Sequence, residues 1–146
     1  GFVNVNNEKM SKSLGNGIYI SDDTDTMAKK VKAMYTDPLH INISDPGHVE
    51  GNIVFTYLDI FDTDKQRVQD LKDQYTAGGL GDMKLKKHLI EVMEAEMAPI
   101  RVRRQEYAQD IPAVLRMLQE GSNRANVIAE ETMKDVRHAM GIDYFG

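Results

Sequence analysis

The sequence predicts a mainly α fold, a helical bundle that follows a short N-terminal strand and loop. Three observations predict it. At least four segments place apolar residues at helical spacing, as in Met27, Val31 and Met34, or Leu85, Leu89, Val92 and Met93. Capping residues precede several of these segments. Only two short runs, residues 1–8 and Ile18-Tyr19-Ile20, have strand character.

A chain of 146 residues can bury one core. Its 18 basic and 23 acidic side chains leave a net charge of −5, which argues against a dedicated nucleic-acid binder but allows local basic patches. Without cysteine there are no disulfides or thiolate metal sites. No signal peptide and no apolar run near the ~18 residues of a membrane span is visible, so the expectation is a soluble, cytoplasmic protein. Nine methionines supply adaptable core filler.

In residues 1–8, Phe2, Val3 and Val5 alternate with polar residues, which fits a short strand. Ile18-Tyr19-Ile20 reads as an edge strand. Ser21 or Asp22 caps the first helix, whose acidic start and later Lys29, Lys30 and Lys32 suit its dipole. Those lysines read as a solvated face or as phosphate contacts. Pro38 ends this helix, and residues 36–48 form an ordered connection with a turn at Asp45-Pro46-Gly47. His40 and His48 have no third ligand at sensible spacing, so no metal site is assigned.

Val49 to Phe61 carries apolar residues over a wide arc and predicts the most buried helix. Asp62-Thr63-Asp64 breaks and recaps the chain, and Lys65 to Tyr75 continues as an exposed helix with Val68 and Leu71 inward. The glycine-rich stretch Ala77 to Asp82 reads as a helix end followed by an N-cap at Asp82, more simply than as a phosphate cradle. Met83 to Ala98 is the next helix, and Pro99 kinks it without ending it. Ile100, Tyr107 and Ile111 carry its stripe onward. From Pro112, the spacing of Leu118, Ala125, Ala129, Thr132, Val136 and Met140 gives a long helix or helix pair, broken at Gly121 and capped by Gly141. Tyr144 and Phe145 are expected to dock on the core.

Two basic clusters stand on these helices, Lys84/Lys86/Lys87/His88 and Arg101/Arg103/Arg104. They are either solvated faces or sites for an RNA backbone, with Lys84, Lys87, Arg101 and Arg104 the assigned contacts.

The strongest chemical signal is Lys9-Met10-Ser11-Lys12-Ser13, trailed by Leu14-Gly15-Asn16. Two lysines, two hydroxyls and a nearby glycine aim several donors at one place, which suits a polyphosphate. The string resembles the K-M-S-K-S signature of class I aminoacyl-tRNA synthetases. That resemblance implies that Lys9, Met10, Ser11, Lys12 and Ser13 bind ATP, and that Lys12 is catalytic, stabilising the departing pyrophosphate. The family's other nucleotide motif is not present around His40, His48, His88 or His138.

Further matches are Met34 to Pro38, Val49 to Asn52, Phe55 to Asp59, Tyr75 to Asp82, Pro99 to Arg101, Arg103-Arg104 and Ala139 to Ile142. From Lys9 to Phe145 the chain is similar to the C-terminal half of bacterial tryptophanyl-tRNA synthetases. Phe2 to Asn16 alone looks like the approach to the motif in cysteinyl-tRNA synthetases. The resemblance implies that residues 1–20 are a remnant of a Rossmann-type catalytic domain and that 21–146 form a helical anticodon-binding domain. It also implies ATP with Mg2+, tryptophan and tRNA as ligands, a homodimer at full length, and no activity for this part alone. A free-standing, non-catalytic tRNA-binding module, a cysteine-specific fragment and a purely structural bundle are the alternatives.

Overall fold

In a computed structural model, Ser11 and residues 13–144 are described. The predicted strand at residues 1–8 lies outside them. Five helices follow in order, α1 (Thr24–Lys32), α2 (Ile53–Phe61), α3 (Lys65–Ala77), α4 (Asp82–Ala108) and α5 (Ile111–Met140). No strand occurs among the described residues. Ile18 to Ile20, expected as an edge strand, is irregular chain. The Tyr19 amide donates to Asp22 Oδ2 at 2.9 Å, not to a neighbouring strand.

The chain divides into two compact units, one through Val102 and one from Arg103. The first holds the core. Met27 and Val31 of α1, Ile53, Val54, Phe55, Tyr57 and Leu58 of α2, and Leu85, Leu89 and Met93 of α4 are all buried. α2 is the most apolar helix, as its sequence predicts, with five of its nine residues buried. It begins at Ile53, later than the expected Val49, because Asn52 caps it by accepting from the Val54 amide at 3.1 Å. Gly51 just before turns the chain with φ of 78°.

α3 supplies Val68 and Tyr75, and the Phe55 and Tyr75 rings meet edge to face at 5.3 Å. The connection at 36–48 reaches this aromatic pair through Gly47. Its amide donates to the Tyr75 carbonyl at 2.9 Å, and a Cβ there would overlap the Tyr75 ring. Glycine is therefore required for this close approach.

Asp62 and His88 form a buried pair at 2.7 Å between the end of α2 and the middle of α4. Burial pushes the Asp62 carboxyl up, but the Asp64 amide and the His88 ring outweigh it, so its pKa lies below the ordinary carboxylate value. Its folded value is thus lower than its unfolded one. The stabilisation is present above the unfolded value of about 3.9 and is lost as pH falls through the folded value. We expect urea midpoints to drop on acidification below about pH 4 and to drop less steeply in Asp62→Asn. Equal acid slopes in the two proteins would show that the pair carries no linkage.

The second unit holds the end of α4 and α5. Pro99 lies inside α4, which continues to Ala108. α5 runs through Gly121 without the expected break, since one glycine costs a long helix only about 1 kcal/mol. It starts on an Asp110 cap and ends at Gly141 with φ of 66°. None of its residues is buried. Leu118 and Ile128 are 61% and 67% exposed, and Tyr144 is 78% exposed rather than docked. The spacing identified an apolar face correctly, but spacing cannot say whether the chain itself covers that face.

Candidate functional site

Of the signature loop, Ser11 and Ser13 are described, while Lys9, Met10 and Lys12 lie outside the described residues. The two hydroxyls sit 3.2 Å apart. Asn16 closes the loop by accepting from the Ser11 amide at 2.9 Å, and the Ser11 hydroxyl accepts from the Leu14 amide at 3.3 Å. Side chains trailing the signature therefore shape its turn.

The loop's exit is tied to α1. Lys30 donates to the Gly17 carbonyl at 2.8 Å and to Asp22 at 2.6 Å, and its ammonium stands 4.5 Å from the Tyr19 ring centre. Sequence reasoning grouped Lys30 with the surface lysines. Its position on the inward side of α1, eight residues from Asp22, is the signal that separates it from Lys29 and Lys32.

A second tie holds α1 to α4. The Arg101 guanidinium pairs closely with Glu94 and donates to Thr24 Oγ1 at 3.2 Å, while the Thr24 hydroxyl donates to Glu94 at 3.0 Å. Arg101 thus has its charge satisfied within the protein, whereas Arg104 is exposed on the second unit.

The cluster at 84–88 divides by helical phase. Lys84 and Lys87 are exposed. Lys86 and His88 are buried, against the expectation that all four belong to one basic face. Lys86 donates to the Lys32 carbonyl at 2.9 Å, at the end of α1. Burial pulls its pKa down, and Asp82 opposes that shift. A cation at a helix C-terminus is favourably placed.

Asp82 is not the N-cap that the sequence suggested. It is the first residue of α4, and its carboxylate gathers three side chains, one from α3 and two from the connection at 36–48. Tyr75 Oη donates at 2.8 Å, Thr36 Oγ1 at 2.7 Å, and His40 Nδ1 lies at 3.2 Å. Burial, followed by the Asp82 carboxylate, pushes the Tyr75 hydroxyl far above the usual phenol range. His48 binds a different carboxylate, Asp37, at 2.7 Å. The two histidines are thus held apart on separate acids. Among the described residues, no group of three or more His, Asp or Glu side chains is arranged for a metal ion.

The family model for class I tRNA synthetases (W and Y) matches residues 3–98. The chain belongs to this family. The synthetase match covers the loop, the Asp82 hub and the lysines of early α4. Tryptophan–tRNA ligase of Streptococcus pyogenes serotype M3 is 58% identical over 141 residues, covering 95% of this chain and 42% of that protein. The ligase of Streptococcus pneumoniae serotype 4 is 54% identical over 95% of this chain and 41% of its own length. Among solved structures, a tryptophanyl-tRNA synthetase from Campylobacter jejuni, in complex with ADP and tryptophan, superposes with a TM-score of 0.78 at 27% identity. It is matched over 96% of this chain and 43% of that one. The chain therefore spans about two fifths of the length of the synthetases it resembles. Among the described residues, no helix is long and apolar enough to cross a membrane.

Proposed function

We propose that this chain serves as the C-terminal portion of a tryptophan–tRNA ligase. It supplies the K-M-S-K-S loop for ATP and part of the surface that holds tRNA. The observation that carries this reading is the identity to tryptophan–tRNA ligases along nearly the whole chain, 58% over 95% of its length. The loop, with Lys9, Met10, Ser11, Lys12 and Ser13, would lie over the ATP phosphates, and magnesium would accompany the nucleotide. Tryptophan attacks the α-phosphorus through its carboxylate, and pyrophosphate leaves. Lys12 meets the negative charge that grows on that leaving group. The Asn16 and Lys30 contacts would position the loop for this task.

On this reading the complete protein is a cytoplasmic homodimer, and residues 1–20 belong to its catalytic domain. This portion alone does not carry out tryptophan-dependent exchange of pyrophosphate into ATP.

For tRNA, the exposed Lys84 and Lys87 are the principal contacts, with Arg104 a further one. Arg101 orients α4 against α1 before it meets any ligand. A salt titration of tRNA binding by the purified chain tests this part. Lys84→Glu with Lys87→Glu should weaken binding and flatten its salt dependence, with each lost phosphate contact lowering the logarithmic slope by about 1. Unchanged affinity and slope would leave these lysines to solvent.

A further inference from the structure

The signature turn closes on itself. The Ser11 amide donates to Asn16 and the Leu14 amide to the Ser11 hydroxyl, and among the described residues no hydrogen bond leaves 11–16 for the rest of the chain. The body of the first unit takes hold at the next residue, the buried Gly17, whose carbonyl accepts from Lys30 at 2.8 Å. The same ammonium donates to Asp22 Oδ2 at 2.6 Å, so it bridges the two ends of the segment 17–22. Its base is firm, because Met27 and Val31 on either side of it in α1 are fully buried.

Asp22 is held through its carboxylate, its amide and its carbonyl. The carboxylate also accepts from the Tyr19 amide at 2.9 Å, and the Asp22 amide donates to the Tyr19 carbonyl at 2.9 Å, which closes a tight turn. The Asp22 carbonyl accepts from Arg101 of α4 at 3.5 Å. Its side chain is only 10% exposed. Helix capping accounts for none of these contacts, since Asp23 caps α1.

We propose that Asp22 is a positioning residue for amino-acid activation, the fixed point from which the K-M-S-K-S loop is hung, with Lys30 and Arg101 holding it from α1 and α4. This rests on the ATP-loop reading and adds to it three residues outside the signature. The catalytic charge belongs to Lys12, and Asp22 sets the place from which Lys12 reaches the leaving pyrophosphate. Without Lys30, the buried Gly17 carbonyl loses its donor and Asp22 its counter-charge, so the segment must shift to find water. Arg101 then serves as a support of the loop rather than as a contact with RNA phosphate.

Two experiments test the proposal. In a complete ligase carrying this chain as its C-terminal portion, Asp22→Ala and Lys30→Met should each slow pre-steady-state adenylate formation by about 10- to 100-fold, the scale of a misplacement near 1 Å. The loss should fall on kcat, with little change in the KM for tryptophan. Lys30→Arg should recover part of the rate, and the exposed Lys29→Met, which removes a charge from the same helix, should match wild type. In a Lys12→Ala background, Asp22→Ala should cost no further rate, because the group it positions is already gone. Arg101→Gln should slow activation and leave the salt slope of tRNA binding unchanged. The second experiment is hydrogen exchange on the 146-residue chain. The Tyr19 and Asp22 amides should exchange faster in Lys30→Met, while those of α2 exchange as in wild type and show that the fold is kept.

Losses from Asp22→Ala and Lys12→Ala that multiply, or Tyr19 and Asp22 exchange unchanged by Lys30→Met, would overturn the proposal and leave the ATP-loop reading standing. Arg101→Gln that lowers the tRNA salt slope by about 1 with activation intact would overturn the role given to Arg101. A ligase that is inactive, or indifferent to Lys12→Ala, would overturn the ATP-loop reading and the proposal with it.

Discussion

Replacing Lys12 with alanine in a complete ligase carrying this loop is expected to slow tryptophan activation by about 10²–10³, roughly 3–4 kcal/mol of transition-state stabilisation. Negative charge builds on the bridging oxygen and on pyrophosphate only as the bond to the α-phosphorus breaks. An ammonium that meets that charge late lowers the barrier without tightening the ground state, so the loss should fall on kcat with a smaller change in the KM for ATP. Lys12→Arg should recover part of the rate, because a planar fork spreads the charge that a lysine concentrates. Lys9→Ala should cost less than Lys12→Ala, since the family resemblance places Lys9 at the loop's edge. Pre-steady-state adenylate formation is the measurement. Near-wild-type rates in all three variants would make Lys12 a surface lysine.

The second large effect is expected at Asp82, and it is one of stability. Asp82→Ala would leave the buried Tyr75 hydroxyl and His40 ring without their acceptor. Two buried donors at about 1–3 kcal/mol each set the loss at roughly 2–6 kcal/mol, a large share of the ~5–15 kcal/mol that holds a typical domain folded. Thr36 is half-buried and can turn to water, so it adds little. Asp82→Asn keeps an acceptor but not the charge and should cost less. Urea denaturation followed by circular dichroism would measure both, with the exposed Asp70→Ala as a control expected within about 0.5 kcal/mol of wild type. An Asp82→Ala midpoint equal to that control would show that the hub contributes nothing to stability. The same substitution should also loosen the start of α4, and with it the Lys84 and Lys87 positions.

The helices of the first unit were legible because their signals are local. Met27, Val31 and Met34 repeat at helical spacing, and all three are buried. Asp64 caps α3 through the Arg67 amide, within four residues of sequence. What could not be read is what long-range pairing decides. Asp62 and His88 are 26 residues apart, and Thr36 and Asp82 are 46 apart. No local rule joins them, so His88 read as part of a basic cluster and Asp82 as a cap.

The start of α1 was misplaced for the same reason. Asp22 looked like a cap, but its carboxylate is taken by Lys30 and the Tyr19 amide, and Asp23 accepts from Thr26 instead. Helical phase could have separated the exposed Lys84 and Lys87 from the buried Lys86, since positions three apart share a face and adjacent ones do not. The loop was legible as a motif, because five fixed side chains compose it. The Asn16 and Lys30 contacts that support it lie beyond the motif, and only the fold brings them to it.

The most direct test of the account is a chimera. The Streptococcus pyogenes ligase is matched by this chain over 42% of its length, and that portion can be replaced by residues 1–146. Charging of tRNA specific for tryptophan is then measured. The chimera is expected to charge this tRNA, and Lys12→Ala within it to remove most of the activity. A folded chimera that forms no tryptophanyl-tRNA, or one whose charging is indifferent to Lys12→Ala, would contradict it.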